Sequence, residues 1–174
     1  MKSHSVLAGL TCAAALLLVP TTALAQGEAN ASAEAVARTY MAHYSDLELD
    51  AMAAMLAEDV AFRDPTAESE EYGFEGLSDD GREAMIGLLR EFVDTYQPIE
   101  LGFEWDQVYT SNSRVVFIGH VNALYPTQTE GQHFRWRSEQ VSVITVQDGL
   151  IVRHEDFANY ATPEQGLIAA PTDH

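Results

Sequence analysis

The sequence contains one cysteine, Cys12, and one lysine, Lys2, and both lie close to its N-terminus. A chain with a single cysteine cannot form an internal disulfide, so its stability must come from packing. The chain beyond Cys12 has neither a thiol nucleophile nor a lysine for Schiff-base chemistry. Two common kinds of covalent catalysis are therefore excluded from it.

Positive charge is scarce along the whole chain. Nine basic residues oppose 27 acidic ones, and the formal net charge is −18. A field of this sign repels nucleic acid and anionic membrane surfaces, so we expect neither as a partner. We interpret the acidic surplus as an aid to solubility and not as a site for a cationic partner.

Long apolar runs are also lacking, apart from one at the N-terminus. Residues 6–19 are almost wholly apolar and follow Lys2, but this run is too short for a helix that spans a bilayer core of about 30 Å. Ala23-Leu24-Ala25 then has the small-x-small pattern of a signal peptidase site. We predict a signal peptide over residues 1–25 that is cleaved after Ala25, and a periplasmic or secreted protein. A membrane anchor is the alternative.

The remaining chain is long enough for one domain with a buried core. Residues 26–32 are small and polar and predict a short tether. Residues 33–160 carry the periodic apolar patterns of a folded domain. Residues 161–174 lack such a pattern, and we expect a loosely ordered tail.

The first half of the domain has the apolar spacing of helices. A helix over about 33–44 is predicted because Val36, Tyr40 and Tyr44 recur on one face after a cap at Ser32. Residues 45–48 have the spacing of a capping box, which predicts a second helix to about residue 57. A third helix is predicted over about 81–96, capped from within residues 78–80.

Between the second and third helices, a short strand is predicted over 60–64, ending at Pro65, and the acidic stretch 66–80 is predicted to be a loop. The second half of the domain, from Pro98, changes to the alternating period of strands. Four consecutive antiparallel strands are predicted over about 99–105, 114–125, 133–146 and 150–157. Helices segregated to one face of such a sheet define an α+β fold.

Two segments resemble the nuclear transport factor 2-like superfamily, and within it the SnoaL-like proteins. They are Ala-Glu-Asp-Val-Ala-Phe-Arg-Asp-Pro (57–65) and Val-Gln-Asp-Gly-Leu-Ile-Val-Arg-His-Glu-Asp-Phe (146–157). The resemblance implies a cone-shaped fold, with three N-terminal helices packed on the concave face of a curved antiparallel sheet. It also implies a pocket for a small apolar or polycyclic molecule, with no cofactor.

Within that superfamily the chain is most similar to the ketosteroid isomerases. That resemblance makes Asp64, followed by Pro65, a general base and makes Tyr40 a donor to the oxyanion of an enolate. The family's third acidic residue corresponds here to Ser142, or to Gln140 with a shift of one hairpin. Neither residue is an acid, so we expect Ser142 to contact the ligand.

The last predicted strand adds a histidine and a carboxylate to the same pocket. By alternation Val152, His154 and Asp156 share one face, and a histidine oriented by a carboxylate can act as an acid or base. We therefore expect His154 and Asp156 to be catalytic together with Tyr40 and Asp64. Phe62 and Val152 are expected to contact the ligand. Two acids and one histidine would also suit a metal ion, but no ligand spacing supports one, so no metal is expected.

Two functions remain open. The first is cofactor-independent acid/base catalysis on a small, largely apolar molecule, as in an isomerase, cyclase, dehydratase or hydrolase. The second is a non-catalytic module that binds a small ligand or dimerises. We also predict a homodimer through the outer sheet face, because Val141, Val143 and Thr145 would otherwise be exposed there.

Overall fold

The computed structural model describes residues 21–69 and 74–170 of the chain. The predicted signal peptide lies outside them, apart from residues 21–25, and so does the end of the predicted tail. Within the described residues there are three helices, all in the first half of the domain: α1 (Thr21–Ser45), α2 (Leu49–Met55) and α3 (Arg82–Tyr96).

The same residues form one mixed sheet of seven strands. Its strand order is β2-β1-β6-β5-β4-β3, and β7 pairs with the free half of β5. β1 lies parallel to β6, whereas β3, β4, β5 and β6 follow one another antiparallel, as predicted. The strands are β1 (Leu56–Ser69), β2 (Phe74–Asp80), β3 (Glu100–Ser111), β4 (Arg114–Pro126), β5 (Gln132–Gln147), β6 (Leu150–Ala158) and β7 (Glu164–Ala169).

The hydrophobic core lies between the helices and one face of this sheet. α1 buries Ala37 and Tyr40 completely, and α3 buries Met85. Phe117 of β4 and Ile144 of β5 meet them from the sheet and are also fully buried. Three helices packed on one face of a curved sheet confirm the predicted α+β cone.

The turn between β5 and β6 has the geometry that the sequence predicts. Asp148 and Gly149 both have positive φ, at 51° and 81°. Two-residue turns of this kind match the twist of a hairpin and favour Asp-Gly. The hairpin places the inner face of β6 directly beside the inner face of β5.

The N-terminal tether predicted over residues 26–32 is wrong, because these residues are part of helix α1. Gln26 Nε2 donates a hydrogen bond to Asn30 Oδ1 at 3.1 Å, one helical turn away. Helix α1 as a whole contains eight alanines, and alanine has the highest helix propensity. That propensity outweighs the small polar residues on which the prediction depended.

The capping box predicted at residues 45–48 is also absent from the structure. α1 continues through Ser45, whose hydroxyl donates to the carbonyl oxygen of Leu101 at 3.2 Å instead of capping α2. The chain then reverses through Leu47, which has a φ of 55°. Glu48 precedes α2 and makes no side-chain capping bond.

The acidic stretch 66–80 is not wholly a loop. Its end forms β2, which pairs antiparallel with β1. Its beginning belongs to β1, which runs from Leu56 to Ser69 and is therefore longer than the strand predicted over 60–64. Because residues 78–80 belong to β2, they cannot cap α3, and Gly81 takes that position with its N–H bonded to the carbonyl of Val60 at 2.7 Å. The acidic composition of this stretch and its lack of regular alternation are the reasons why the sequence did not predict the strand.

The C-terminal segment beyond residue 161 is more ordered than predicted. Glu164–Ala169 forms β7, which pairs antiparallel with residues 132–137 of β5. The hydrogen-bonding edge of that half of β5 is open because β6 pairs only with its other half. β7 therefore closes an edge that would otherwise be exposed.

Candidate functional site

A row of polar side chains lies on the buried face of β5 and β6. Ser142 lies directly opposite Asp156 in the ladder, and Ile144 lies opposite His154. All four side chains point toward the helices, because they alternate with residues on the outer face. The hairpin turn thus brings together His154, Asp156 and Ser142, three of the residues predicted for the site.

Tyr40 on α1 extends this row of polar side chains toward the helix layer. Its hydroxyl and His154 Nδ1 form a hydrogen bond of 2.9 Å. On the other side, Ser142 Oγ donates to Asp156 Oδ1 at 2.5 Å and accepts a bond of 3.2 Å from Gln140 Nε2. His154 Nε2 lies 3.0 Å from Asp156 Oδ1, yet its N–H is not aligned for a hydrogen bond.

Tyr40 and His154 are both completely buried. The imidazole is enclosed edge-to-face by the rings of Tyr40, Tyr44 and Phe62, with centroid distances of 5.5, 5.6 and 5.3 Å. Burial raises the pKa of Tyr40 well above its usual value, so its phenol stays protonated. The bond from the hydroxyl of Tyr40 therefore orients the imidazole of His154 beside Asp156.

Asp64 lies at the end of the β1–β6 pairing, and its carboxylate oxygens have separate partners. Oδ1 accepts hydrogen bonds from the backbone N–H and the hydroxyl of Thr66, at 3.1 and 2.7 Å. Oδ2 accepts a bond of 2.7 Å from the hydroxyl of Tyr160. Asp64 is only 4% exposed. The carboxyl group is therefore fixed in orientation and largely removed from water.

The pKa of Asp64 is raised above its ordinary value. Burial is the largest cause, since it penalises the charged form, and the nearby carboxylate of Asp156 acts in the same direction. The hydrogen bonds from Tyr160 and Thr66 oppose this shift because they stabilise the ionised form. A buried carboxyl group with a shifted pKa is a candidate for proton transfer.

Two tyrosines at this site were not identified as site residues from the sequence. The pKa of Tyr44 is raised well above its usual value by burial and then by the charges of Asp156 and Asp64, so its phenol is near enough to both carboxylates to be affected by them. Tyr160 bonds Asp64 and packs on Trp136, with ring centroids 5.7 Å apart. The helical spacing from Tyr40 to Tyr44 is the signal that could have identified Tyr44.

The two remaining predicted ligand contacts have different outcomes. Phe62 is buried and packs against the ring of His154. Val152 does not share the inner face with His154, because β6 has an irregularity there: Ile151 pairs with Val146, and Arg153 pairs with Thr145. Ile151 takes the buried position expected for Val152, since one extra residue reverses the alternation.

Two open cavities lie along α1 and the edge strand β3. The first, of about 210 Å³, is lined by Arg38, Met41, Ala42, Ser45, Phe103, Trp105 and Phe117. The second, of about 370 Å³, shares Ser45 and is lined further by Asp46, Leu47, Ile99, Glu100, Leu101 and Gly102. Neither of these two cavities is lined by Asp64 or Asp156.

Two further properties concern the part of the chain that the structure describes. No three His, Cys, Asp or Glu side chains cluster there in a way that could hold a metal ion. In the same residues, no helix has the length and apolar character needed to cross a membrane.

Comparison with known proteins agrees with this architecture. Residues 37–154 match the SnoaL-like domain family. No curated protein matches the sequence at a significant level.

Solved structures with the same fold come from several bacteria. A candidate SnoaL-like polyketide cyclase from Shewanella putrefaciens is 20% identical, with a TM-score of 0.62 over 75% of this chain and 91% of that chain. A candidate ketosteroid isomerase from Kribbella flavida is 21% identical, with a TM-score of 0.54 over 76% and 82%. A candidate polyketide cyclase from Xanthomonas campestris is 25% identical, with a TM-score of 0.56 over 76% and 94%.

Proposed function

Because the chain belongs to the SnoaL-like domain family, we propose that it binds a small, largely apolar molecule and catalyses cofactor-independent proton transfer on it. Asp64 is the proposed general base. The observation that carries this proposal is the environment of Asp64: a buried carboxyl group with raised pKa, held by Thr66 and Tyr160. Isomerisation or cyclisation through an enolate is the reaction class that such a base serves best.

The proposed step needs a carbonyl compound with an acidic C–H bond beside the carbonyl. Asp64 accepts the proton, the electron pair of the broken C–H bond forms the enolate double bond, and negative charge moves to the carbonyl oxygen. Asp64, now a carboxylic acid, returns the proton to another carbon in an isomerisation; in a cyclisation the enolate carbon attacks a second carbonyl of the same molecule, and Asp64 gives the proton to the alkoxide that forms. The base is thus regenerated without a cofactor.

Tyr44 is the proposed donor to the enolate oxygen. Its phenol remains protonated because its pKa is raised, and among the described residues it has no hydrogen-bond partner. Tyr40, which the sequence suggested for this role, uses its hydroxyl on His154. We therefore assign Tyr44 to stabilising the oxyanion, and we assign Tyr40 to orienting the imidazole of His154 through their hydrogen bond.

Turnover of a panel of ketones and enones tests the proposal. Asp64→Asn should lower turnover by about 10²–10⁴-fold, which is the usual contribution of general acid–base catalysis. Asp50→Asn is the matched control, because it makes the same change at an exposed position on α2. His154→Ala separates the alternative in which His154 and Asp156 carry the chemistry. If that variant abolishes turnover while Asp64→Asn retains most of it, Asp64 is not the base.

Binding without catalysis is the second candidate function. It is favoured by the two open cavities, which lie along α1 and β3 and not beside the carboxylates. A ligand that binds tightly, is released unchanged and is unaffected by Asp64→Asn would support it. Loss of that binding in Trp105→Ala, with Asp64 intact, would locate the ligand in the first cavity.

A further inference from the structure

We propose that Tyr160 is a positioning residue for Asp64, and that together with Thr66 it leaves one lone pair of Asp64 Oδ2 as the proton-accepting site. This inference rests on the proposed function, because it specifies how the same carboxyl group works. It adds an atom-level assignment and gives a role to the segment that follows β6.

Asp64 Oδ1 is saturated by Thr66. A carboxylate oxygen can accept about two hydrogen bonds, and Thr66 supplies both, from its backbone N–H and its hydroxyl. The hydroxyl of Thr66 is itself oriented, because its oxygen accepts a bond of 2.8 Å from the backbone N–H of Ala158. Its proton is therefore directed toward Asp64, and Oδ1 has no capacity left for a substrate proton.

Asp64 Oδ2 has a single described partner, the hydroxyl of Tyr160. One of its two acceptor positions is thus filled and one remains. Asp64 is 4% exposed, and its partner in this hydrogen bond is a residue that is 39% exposed, Tyr160. It fixes the direction of the remaining lone pair.

The segment that carries Tyr160 is anchored on both sides. The backbone N–H of Asn159 donates to the carbonyl of Glu139 at 3.0 Å, and Ser138 Oγ donates to the carbonyl of Asn159 at 2.9 Å. Asn159 and Thr162 exchange two more hydrogen bonds, which close a tight turn immediately before β7. β5 thus holds the segment through both Asn159 and β7, and these contacts position the phenol of Tyr160 beside Asp64.

The bond from Tyr160 also opposes the effect of burial on Asp64. The titratable groups that face Asp64 are Asp156 from β6, Tyr44 from α1 and Tyr160 itself. Asp156 favours the protonated form of Asp64, whereas the hydrogen bond from Tyr160 favours the ionised form. Removing that bond should therefore raise the pKa of Asp64 further.

Titration of the Asp64 carboxyl carbon by ¹³C NMR tests the inference without a substrate. Asp64→Asn identifies the signal, and Tyr160→Phe removes the hydroxyl while its ring keeps the packing on Trp136. We expect an upward shift of the Asp64 pKa in Tyr160→Phe. Tyr109→Phe is the matched control, because this exposed tyrosine bonds Gln107 and lies outside the site. Thr66→Val, which removes the hydroxyl bond to Oδ1, should shift the pKa in the same direction.

An Asp64 pKa in Tyr160→Phe that equals the values in the unmodified protein and in Tyr109→Phe would overturn the inference, even if the variant were less stable. The titration is independent of turnover, so it can succeed while the proposed catalysis fails. Where a substrate is found, Tyr160→Phe should shift the acidic limb of the kcat profile to higher pH, in parallel with the carboxyl titration. A lower rate with an unshifted profile would contradict the positioning role.

Discussion

Two aspartates a short distance apart in the fold have different surroundings. Asp64 accepts hydrogen bonds from Thr66 and Tyr160, whereas Asp156 accepts from Ser142 and lies beside His154. Buried carboxyl groups in unlike environments divide acid and base roles in many enzymes. This difference in partners is why we assign the base to Asp64.

The raised pKa of Asp64 predicts a pH dependence of stability. The native state holds the proton more tightly than the unfolded state, so the contribution of Asp64 is full below its ordinary pKa of 3.8. It is lost as the pH rises from there through the raised native pKa. The free energy of unfolding, measured with urea at a series of pH values, should therefore fall relative to that of Asp64→Asn over this interval. A constant difference between the two proteins across the interval would show that the native pKa is not raised.

At the scale of elements, the sheet depends on a close approach of β4 to β3. The register of these strands shifts between Trp105 and Gln107, opposite Gly119. A Cβ atom at Gly119 would lie 1.9 Å from the carbonyl oxygen of Glu104 and 2.9 Å from the Cα of Trp105. No side chain fits there, so this glycine permits the bulge that orients the wall of the first cavity.

Gly119→Ala should lower the free energy of unfolding by about 1–3 kcal/mol or more, the usual cost of overpacking. The cost is not small, because the backbone of Glu104 and Trp105 must move instead of a flexible side chain. Gly87→Ala is the matched control on α3, where a Cβ would meet nothing within 4 Å. That substitution should stabilise the helix by up to about 1 kcal/mol. Chemical denaturation of both variants measures the difference. Equal stability of the two would contradict the close contact at β3.

At the scale of the whole molecule, the outer sheet face carries exposed apolar side chains in the part of the chain that the structure describes. Val141 lies between Ile118 on β4 and Phe157 on β6, which are 37% and 38% exposed, and Val143 lies beside Val116. An apolar patch of this kind on a broad sheet favours association. The homodimer through this face therefore stays a prediction, and these residues define the surface that it would bury.

Sedimentation at micromolar concentration should give the mass of two chains. Ile118→Glu should reduce this to the mass of one chain, because a charge would be buried in the interface. Glu130→Gln, outside this face, is the control. A monomeric mass for the unmodified protein would refute the dimer.

Export is the second property of the whole molecule that can be tested. We predict that the exported protein begins at Gln26, because residues 6–19 and the Ala23-Leu24-Ala25 site have the pattern of a cleaved signal peptide. Mass spectrometry of the protein from the periplasm or medium measures the N-terminus. Retention of Met1 in the exported protein would contradict the prediction.

The sequence by itself determined the elements with strong periodicity. Strands β3, β4, β5 and β6 alternate between more and less buried residues, and α3 repeats its apolar residues at helical spacing, so their positions follow from local pattern. The placement of Asp64 before Pro65, and of His154 two residues before Asp156, was also evident, as was the family to which these segments are similar.

Only the tertiary structure decided which side chains meet, because contact depends on register and on distant segments. One extra residue in β6 exchanges Val152 for Ile151 on the inner face. The hydroxyl of Tyr40 bonds His154, 114 positions away, and Asp64 is held by Tyr160, 96 positions away. β2 and β7 likewise form because β1 and β5 have open edges with which they can pair. The local sequence of an acidic segment or of a C-terminal segment gives no sign of such an edge.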